Sequence, residues 1–189
     1  MHWRSMINKT YKLSYLVLVI CTIAAAYYVS ENWFQVSLIR GESMSPAYHN
    51  MQLVLLNRYS DDYTYGDVIA FQCEGLDSVL VKRIAACPGD QVIIIDGTMY
   101  VNNTISSVFP QEHVFNYAGI AEDSIELKEN QYFVIGDNLK ESKDSRYEDV
   151  GVVCKDDFCG RVIPQNPRNQ LNLCENLFIH HGIIVLSCV

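Results

Sequence analysis

One stretch of the chain, residues 13–30, has no charged residue and is mostly apolar over 18 positions. As an α-helix this run would be about 27 Å long, close to the roughly 30 Å thickness of the hydrocarbon layer of a membrane. Basic residues precede the run and Glu31 follows it, an order that favours a cytoplasmic N-terminus. We therefore predict a cytoplasmic basic tail (1–12), a single transmembrane anchor (13–30) and an extracytoplasmic domain (31–189).

Two other interpretations of the apolar run stay open. Ala24-Ala25-Ala26 fits the small-x-small pattern at which a secretory signal peptide is removed, and a basic region precedes it. The run can also be read as a buried core helix. Removal of a signal peptide would still export the domain.

Beyond the anchor the pattern is typical of strands. Gln91 to Ile95 and Thr98 to Val101 flank Asp96-Gly97, which is the residue pair of a two-residue hairpin turn. Residues 103–130 look like an irregular excursion over the surface. Further strands are predicted at 51–56, 67–72, 79–85, 131–135, 150–153, 158–163 and in the apolar 177–189. The domain is therefore expected to be mainly β.

Charge and cysteine content restrict the class of protein. The net charge is −8, divided into +3 on residues 1–12 and −11 on the rest, so nucleic acid is not an expected partner.

Of the seven cysteines, Cys21 lies in the apolar run, and an exported domain would place the others where disulfides form. A short Cys154–Cys159 loop, a zinc site with His180 and His181, and free thiols are all open. The six domain cysteines are Cys73, Cys87, Cys154, Cys159, Cys174 and Cys188.

Two segments carry candidate chemistry. Gly41-Glu42-Ser43-Met44-Ser45-Pro46 presents a serine, whose hydroxyl needs a base before it can act as a nucleophile. The histidines of the domain fall in no recognisable triad signature.

Lys82 lies in a strand rich in Val and Ile, where an inward lysine is costly unless it is neutral. Lowering its pKa by about three units would cost about 4 kcal/mol and make it a usable base. Taken alone, Lys82 favours the other interpretation, a lysine that snorkels at a strand edge.

A third segment follows the strand at 131–135 and runs from Gly136 to Arg146. It contains Gly136-Asp137-Asn138 and then Ser142-Lys143-Asp144-Ser145-Arg146. By itself, a polar loop of this kind would be an ordinary surface loop.

Together the three segments resemble the type I signal peptidases, membrane-bound proteases that use a serine and a lysine. Ser43-Met44-x-Pro46 is similar to the family's nucleophile box, and Lys82-Arg83 with Pro88-Gly89-Asp90 is similar to its base box. Between them, Gly66-Asp67-Val68 resembles the intervening strand box. The third segment resembles the last box. The resemblance runs from the anchor to about Gly160. It implies a compact antiparallel β catalytic domain of the type found in signal peptidases and self-cleaving repressor proteases.

The resemblance also implies roles. Ser43 would attack the scissile carbonyl, with its backbone N–H in the oxyanion hole, and Lys82 would take its proton. Ser142 would hydrogen-bond and aim the Lys82 amine. Asp144, Arg146, Asp137 and Arg83 would support the site as ion pairs. No metal and no cofactor are expected, and the partners would be exported preproteins cleaved after small-x-small sites, together with the lipid bilayer.

Departures from the family pattern and competing functions complete the prediction. Ala47 stands where the family usually has threonine, and Gly41 stands where some members have a serine that binds the oxyanion. The family's larger inserted domain is missing, and residues 165–189 have no counterpart.

The alternatives to a signal peptidase are a dedicated processing protease of the pilin or conjugation type and a non-catalytic, membrane-tethered β binding domain. A self-cleaving repressor is disfavoured because the N-terminal segment is a predicted anchor, not a DNA-binding module.

Overall fold

The structure is a computed structural model that describes residues 2–110, 112–164 and 184–188, without the side chains of 2–11, 29–32 and 184. A long helix, α1 (His2–Trp33), is followed by a β domain. The strands described are β1 (Phe34–Gly41), β2 (Leu53–Asn57), β3 (Val68–Cys73), β4 (Ser78–Ala86), β5 (Gln91–Ile95), β6 (Thr98–Val101), β7 (Thr104–Ile105), β8 (Ile125–Glu126), β9 (Gln131–Ile135), β10 (Val153–Cys154), β11 (Phe158–Val162) and β12 (Ile184–Cys188). The prediction of a mainly β domain is confirmed.

Most strands belong to one sheet, in the order β10-β9-β4-β12-β1-β2-β11-β3. β3 also pairs with β4, so the sheet closes on itself. The expectation of an antiparallel domain is wrong for β12, which runs parallel to both β1 and β4. Because parallel neighbours require a crossover connection, hydrophobic alternation along a strand does not reveal this arrangement.

The hairpin predicted around Asp96-Gly97 is confirmed, with β5 and β6 at the expected bounds. Both turn residues have positive φ, 49° for Asp96 and 75° for Gly97, as a two-residue turn of this type requires. The hairpin lies in a second, smaller sheet of order β7-β6-β5-β8. The described residues of the stretch 103–130 contribute the two-residue strands β7 and β8 to it.

β1 was not among the predicted strands, although it leads directly to the candidate nucleophile. Its inward positions are Ser37 and Ile39, both fully buried, so a polar residue interrupts the apolar alternation. The final strand is shorter than predicted. Within 177–189, the structure describes a strand at Ile184–Cys188, and the other residues of that prediction lie outside the described part.

The predicted anchor, 13–30, falls inside α1, and the side chains of its last two residues lie outside the description. In the described part of the chain, no helix combines the length and the apolar character needed to cross a bilayer. The junction of α1 with the domain is fixed by the Trp33 carbonyl, which accepts a hydrogen bond from the Arg58 N–H at 2.9 Å. The rings of Trp33 and Tyr59 stack with their centroids 4.8 Å apart.

The cysteines of the described residues are all free thiols: Cys21, Cys73, Cys87, Cys154, Cys159 and Cys188. The proposed short Cys154–Cys159 loop is therefore wrong. Cys154 ends β10, which pairs with β9, whereas Cys159 lies in β11 beside β3, so the two residues belong to different ladders. Cys174, His180 and His181 lie outside the described residues, and with them the zinc hypothesis.

Candidate active site

Ser43 lies just past the end of β1, in a tight turn anchored in the core. The Ser45 N–H donates to the Glu42 carbonyl at 3.0 Å, and the Tyr48 N–H donates to the Met44 carbonyl at 2.9 Å. Met44, the neighbour of the serine, is fully buried among the side chains of the large sheet. The close packing around Met44 therefore restricts the position of its neighbour Ser43.

Lys82 lies in the middle of β4 and points into the protein with no exposed surface. Its Nζ lies 2.6 Å from the Ser43 Oγ, within hydrogen-bonding distance. The interpretation of Lys82 as a snorkelling lysine is therefore wrong. β4 is covered on both faces at this point, since its neighbours Val81 and Ile84 are also fully buried. The amine consequently has no direct route to water.

Burial lowers the pKa of Lys82 from its ordinary 10.5 to about 8. Removal from water disfavours the charged ammonium. The Asp144 carboxylate is the strongest opposing influence, while the Arg146 guanidinium adds to the lowering. At neutral pH a usable fraction of this amine is therefore deprotonated, which is the state that a general base requires.

The loop that follows β9 is organised by the fully buried carboxylate of Asp144. One oxygen accepts the Ser142 hydroxyl at 2.6 Å and the Gly136 N–H at 3.1 Å. The Arg146 guanidinium donates to the same carboxylate through Nε at 2.7 Å and Nη2 at 2.9 Å. The Arg146 guanidinium also donates to the backbone carbonyls of Tyr117, Leu139 and Ser142. This buried pair thus fixes the path of the loop beside Lys82.

A second ion pair joins β4 to the same loop. Arg83 donates to Asp137 through Nε at 2.7 Å and Nη2 at 2.6 Å, a bidentate arrangement. Its remaining nitrogen, Nη1, donates to the Gly66 carbonyl at 2.7 Å. The segment recognised as a strand box is therefore linked to the base-bearing strand. The two pairs do not share atoms, and the adjacent Gly136 and Asp137 connect them.

Ser142 lies close to the nucleophile segment. A methyl group built on Gly136 would lie 2.2 Å from the Ser142 Oγ and 2.6 Å from the Ser43 carbonyl oxygen, so only glycine fits between them. The Ser142 hydroxyl donates to Asp144, as described above. Its predicted role, aiming the Lys82 amine, stays a prediction.

Two contacts at the site went unpredicted. The Asn138 N–H donates to the Ser43 carbonyl at 2.9 Å and its side-chain amide donates to the Glu42 carbonyl at 3.3 Å, so Asn138 holds the nucleophile turn. Cys188 pairs with Gly41 at the end of β1, and burial raises the pKa of its thiol while the Lys82 amine and the Ser43 hydroxyl lower it. Asn138 was part of a recognised motif, but no sequence signal pointed to Cys188 because it falls outside every motif.

The lowered pKa of Lys82 predicts a pH profile for serine attack. With Lys82 as the general base for Ser43, the reaction rate should rise as the pH increases through about 8, because the neutral amine, the form that can accept a proton, becomes the main species there. The measurement is kcat/KM for a peptide substrate between pH 6 and about 9.5, where a single ionisation should describe the rise. A rate that is flat over this range would contradict Lys82 as the base.

Comparison with known proteins assigns the family. Residues 12–164 match the model of the family described as signal peptidase, peptidase S26. Signal peptidase I P of Bacillus subtilis subsp. natto is 26% identical over 166 residues, covering 81% of this chain and 88% of the relative. Signal peptidase I S of Bacillus subtilis is 26% identical over 153 residues, covering 75% and 82%. A solved signal peptidase I from Enterococcus faecalis has 24% identity and a TM-score of 0.45, and covers 55% of this chain. The chain belongs to the signal peptidase family, peptidase S26.

Proposed function

We propose that this chain removes N-terminal signal peptides from exported preproteins, cutting after small-x-small sites. The observation that carries the proposal is the 2.6 Å contact between the Lys82 amine and the Ser43 hydroxyl, away from water. Such a contact between a serine and a buried amine of lowered pKa has the geometry of an activated nucleophile. The names of the relatives supply the substrate class.

In this mechanism Lys82, in its neutral form, takes the proton from the Ser43 hydroxyl as the oxygen attacks the scissile carbonyl. The Ser43 backbone N–H would stabilise the negative oxygen of the tetrahedral intermediate. The ammonium of Lys82 then returns the proton to the leaving amine as the C–N bond breaks, leaving an acyl-enzyme. Water attacks this ester, with Lys82 again accepting the proton, and Lys82 then gives that proton to the Ser43 oxygen as the acyl C–O bond breaks and the product with its new C-terminal carboxyl group leaves.

Ser142 is proposed as a positioning residue for Lys82. Its hydroxyl lies between Asp144 and the nucleophile segment, and a lysine amine has no fixed direction of its own. Ser142→Ala should lower kcat by roughly 10²-fold with little change in KM. The pH at half-maximal rate should also move upward. Without the Ser142 hydroxyl, the Asp144 carboxylate loses a hydrogen-bond donor, so its negative charge stabilises the Lys82 ammonium more strongly and raises the pKa of Lys82. An unchanged pH profile would indicate a structural role only.

The substrate range is tested by depleting the protein in its host and mapping the N-termini of exported proteins. General retention of signal peptides would establish a housekeeping role. A defect confined to one substrate would establish a dedicated processing protease. If every exported protein keeps its normal N-terminus, the proposed function is wrong.

We also propose that α1 holds the domain at a lipid bilayer with the N-terminus in the cytoplasm. Between Leu13 and Tyr28 the helix exposes a series of large apolar and aromatic side chains, which water solvates poorly. The basic residues before position 13 agree with this orientation. Lipid would cover the exposed side chains.

Leu18→Arg tests the anchor, because a charge at the centre of a helix that spans the bilayer makes the free energy of insertion less favourable by roughly 2.5–3.5 kcal/mol. The protein should then move from the membrane pellet to the soluble fraction after alkaline extraction. Leu18→Phe keeps the position apolar and should stay with the membrane. If both variants fractionate alike, α1 does not insert.

A further inference from the structure

The dyad is closed to solvent in this structure. Ser43 and Lys82 are both 0% exposed. An endopeptidase that acts on a polypeptide must admit an extended chain to its nucleophile, so whatever covers Ser43 has to be displaced by substrate. Among the described residues, β12 lies beside the dyad, next to both β1 and β4.

β12 occupies a slot between the two strands that carry the dyad. It runs parallel to β1 along five residue pairs, from Ser37↔Ile184 to Gly41↔Cys188. On its other side, Ser187 pairs with Leu80 of β4, two residues before the lysine. The strand therefore approaches the serine and the lysine at the same end. An extended peptide in this slot would reach Ser43 by the same path.

The side chains of β12 alternate as those of a bound peptide would. Leu186 and Cys188 are buried in the cluster that contains Ile39, Met44 and Val81. Val185 points outward and is 42% exposed. Cys188 is paired with Gly41 at the end of β1, two residues before Ser43, and both the Lys82 amine and the Ser43 hydroxyl lower the pKa of its thiol against the larger effect of burial. Cys188 thus stands where a substrate residue would meet the nucleophile.

Gly41 makes room for this arrangement. Its φ is +101°, and a methyl group built on it would lie 1.8 Å from the Cys188 carbonyl oxygen. No side chain at position 41 is compatible with β12 in its slot. β12 also lies outside residues 12–164, the part that matches the family, although both of its partner strands lie inside.

We propose that β12 is an intramolecular occupant of the peptide-binding slot, so that substrate must displace Ile184–Cys188 before Ser43 can react. The proposal rests on the proposed function, because it assumes that the slot receives a peptide. Occupation of the slot by the chain itself reduces the apparent affinity for substrate by the fraction of molecules in which the slot is open.

The protection of Cys188 provides a test that needs no turnover. The probe is a synthetic small-x-small signal peptide, added to the full-length Ser43→Ala variant in detergent. Iodoacetamide alkylation of Cys188, followed by mass spectrometry, should be slow without peptide and about tenfold faster at saturation. A scrambled peptide is the control. If the wild type cleaves this peptide while its binding leaves Cys188 equally protected, β12 is not displaced and the proposal is overturned.

A second test weakens β12 from within. In the full-length protein, Leu186→Asn removes a buried apolar contact of β12, and we expect kcat/KM to rise about tenfold through a lower KM. Val185→Asn also replaces an apolar side chain by an amide, at an exposed position of the same strand, and should leave kcat/KM unchanged. Gly41→Ala, which collides with β12 from the other side, should likewise expose Cys188 to iodoacetamide.

These readouts separate the two hypotheses. If no variant cleaves any peptide but Leu186→Asn and Gly41→Ala speed the alkylation of Cys188, the proposed function fails and the displaceable strand stands. If Leu186→Asn melts cooperatively near the wild-type temperature and neither gains activity nor exposes Cys188, β12 is a fixed structural strand. If Leu186→Asn instead leaves the whole domain unfolded, β12 is an integral part of the core, and the proposal is overturned.

Discussion

Replacing Lys82 by methionine is expected to abolish peptide cleavage while making the domain more stable. The amine is the candidate base nearest to the Ser43 hydroxyl, so kcat/KM should fall by at least about 10⁴-fold. Methionine keeps the length of the side chain and removes a group whose charged form is disfavoured by burial. The lowering of the lysine pKa from 10.5 to about 8 corresponds to about 3 kcal/mol of folding free energy at neutral pH.

The pH dependence of this stability difference has a definite sign. Well below pH 8 the lysine is mostly protonated in both the folded and the unfolded chain, so the folded wild type bears nearly the full cost of the buried charge. Between about 8 and 10.5 the unfolded chain binds more protons, and wild-type stability rises toward that of the variant. Urea unfolding at pH 7 and at about 10 would measure both values.

Two controls make the Lys82 experiment decisive. Ser43→Ala should lose cleavage to the same extent, since nucleophile and base act as one unit. Lys128→Met makes the same chemical change at an exposed lysine and should affect neither activity nor stability. Normal cleavage by a folded Lys82→Met protein would show that the dyad assignment is wrong.

Replacing Arg146 by methionine is expected to destabilise the domain by about 3–5 kcal/mol, because it leaves the Asp144 carboxylate buried without its partner. Arg146 also holds three backbone carbonyls of the loop and its surroundings, which would lose their donors. The free energy of unfolding in urea measures the loss. Activity should fall as well, since the same loop carries Ser142.

Arg161→Met is the matched control for the buried pair. Arg161 pairs with Asp67 at 3.1 Å, but the two side chains are 34% and 21% exposed, so the loss should be about 1 kcal/mol or less. The double variant Asp144→Leu, Arg146→Met should recover part of the stability, because neither charge of this ion pair is then left without the other. If Arg146→Met loses no more than Arg161→Met, the buried pair does not brace the loop.

The strands that could be predicted share a local signal. The hairpin of β5 and β6 follows from Asp96-Gly97 between apolar runs, and β9 follows from an apolar run that ends at a glycine turn. β1 gave no such signal because Ser37 occupies a buried position. In the same way, the parallel insertion of β12 depends on a long-range crossover, which local hydrophobicity does not encode.

The candidate site divides along the same line. The types and order of the candidate residues could be predicted from the chain, because the three segments together resemble the motifs of the family. Whether Lys82 is buried or snorkels, and whether it lies within reach of Ser43, was not readable. Those properties depend on how β1 and β4 are placed across the sheet.

Residue types and local patterns were therefore enough to predict the mainly β domain, the family resemblance and the candidate nucleophile and base. The 2.6 Å contact between Ser43 and Lys82, the burial that lowers the pKa of Lys82, and the position of Cys188 beside Gly41 follow from the folded structure alone. The physical reason is that residue type and local pattern are properties of neighbours along the chain. Burial, electrostatic environment and the occupation of a slot arise from contacts between residues far apart in sequence.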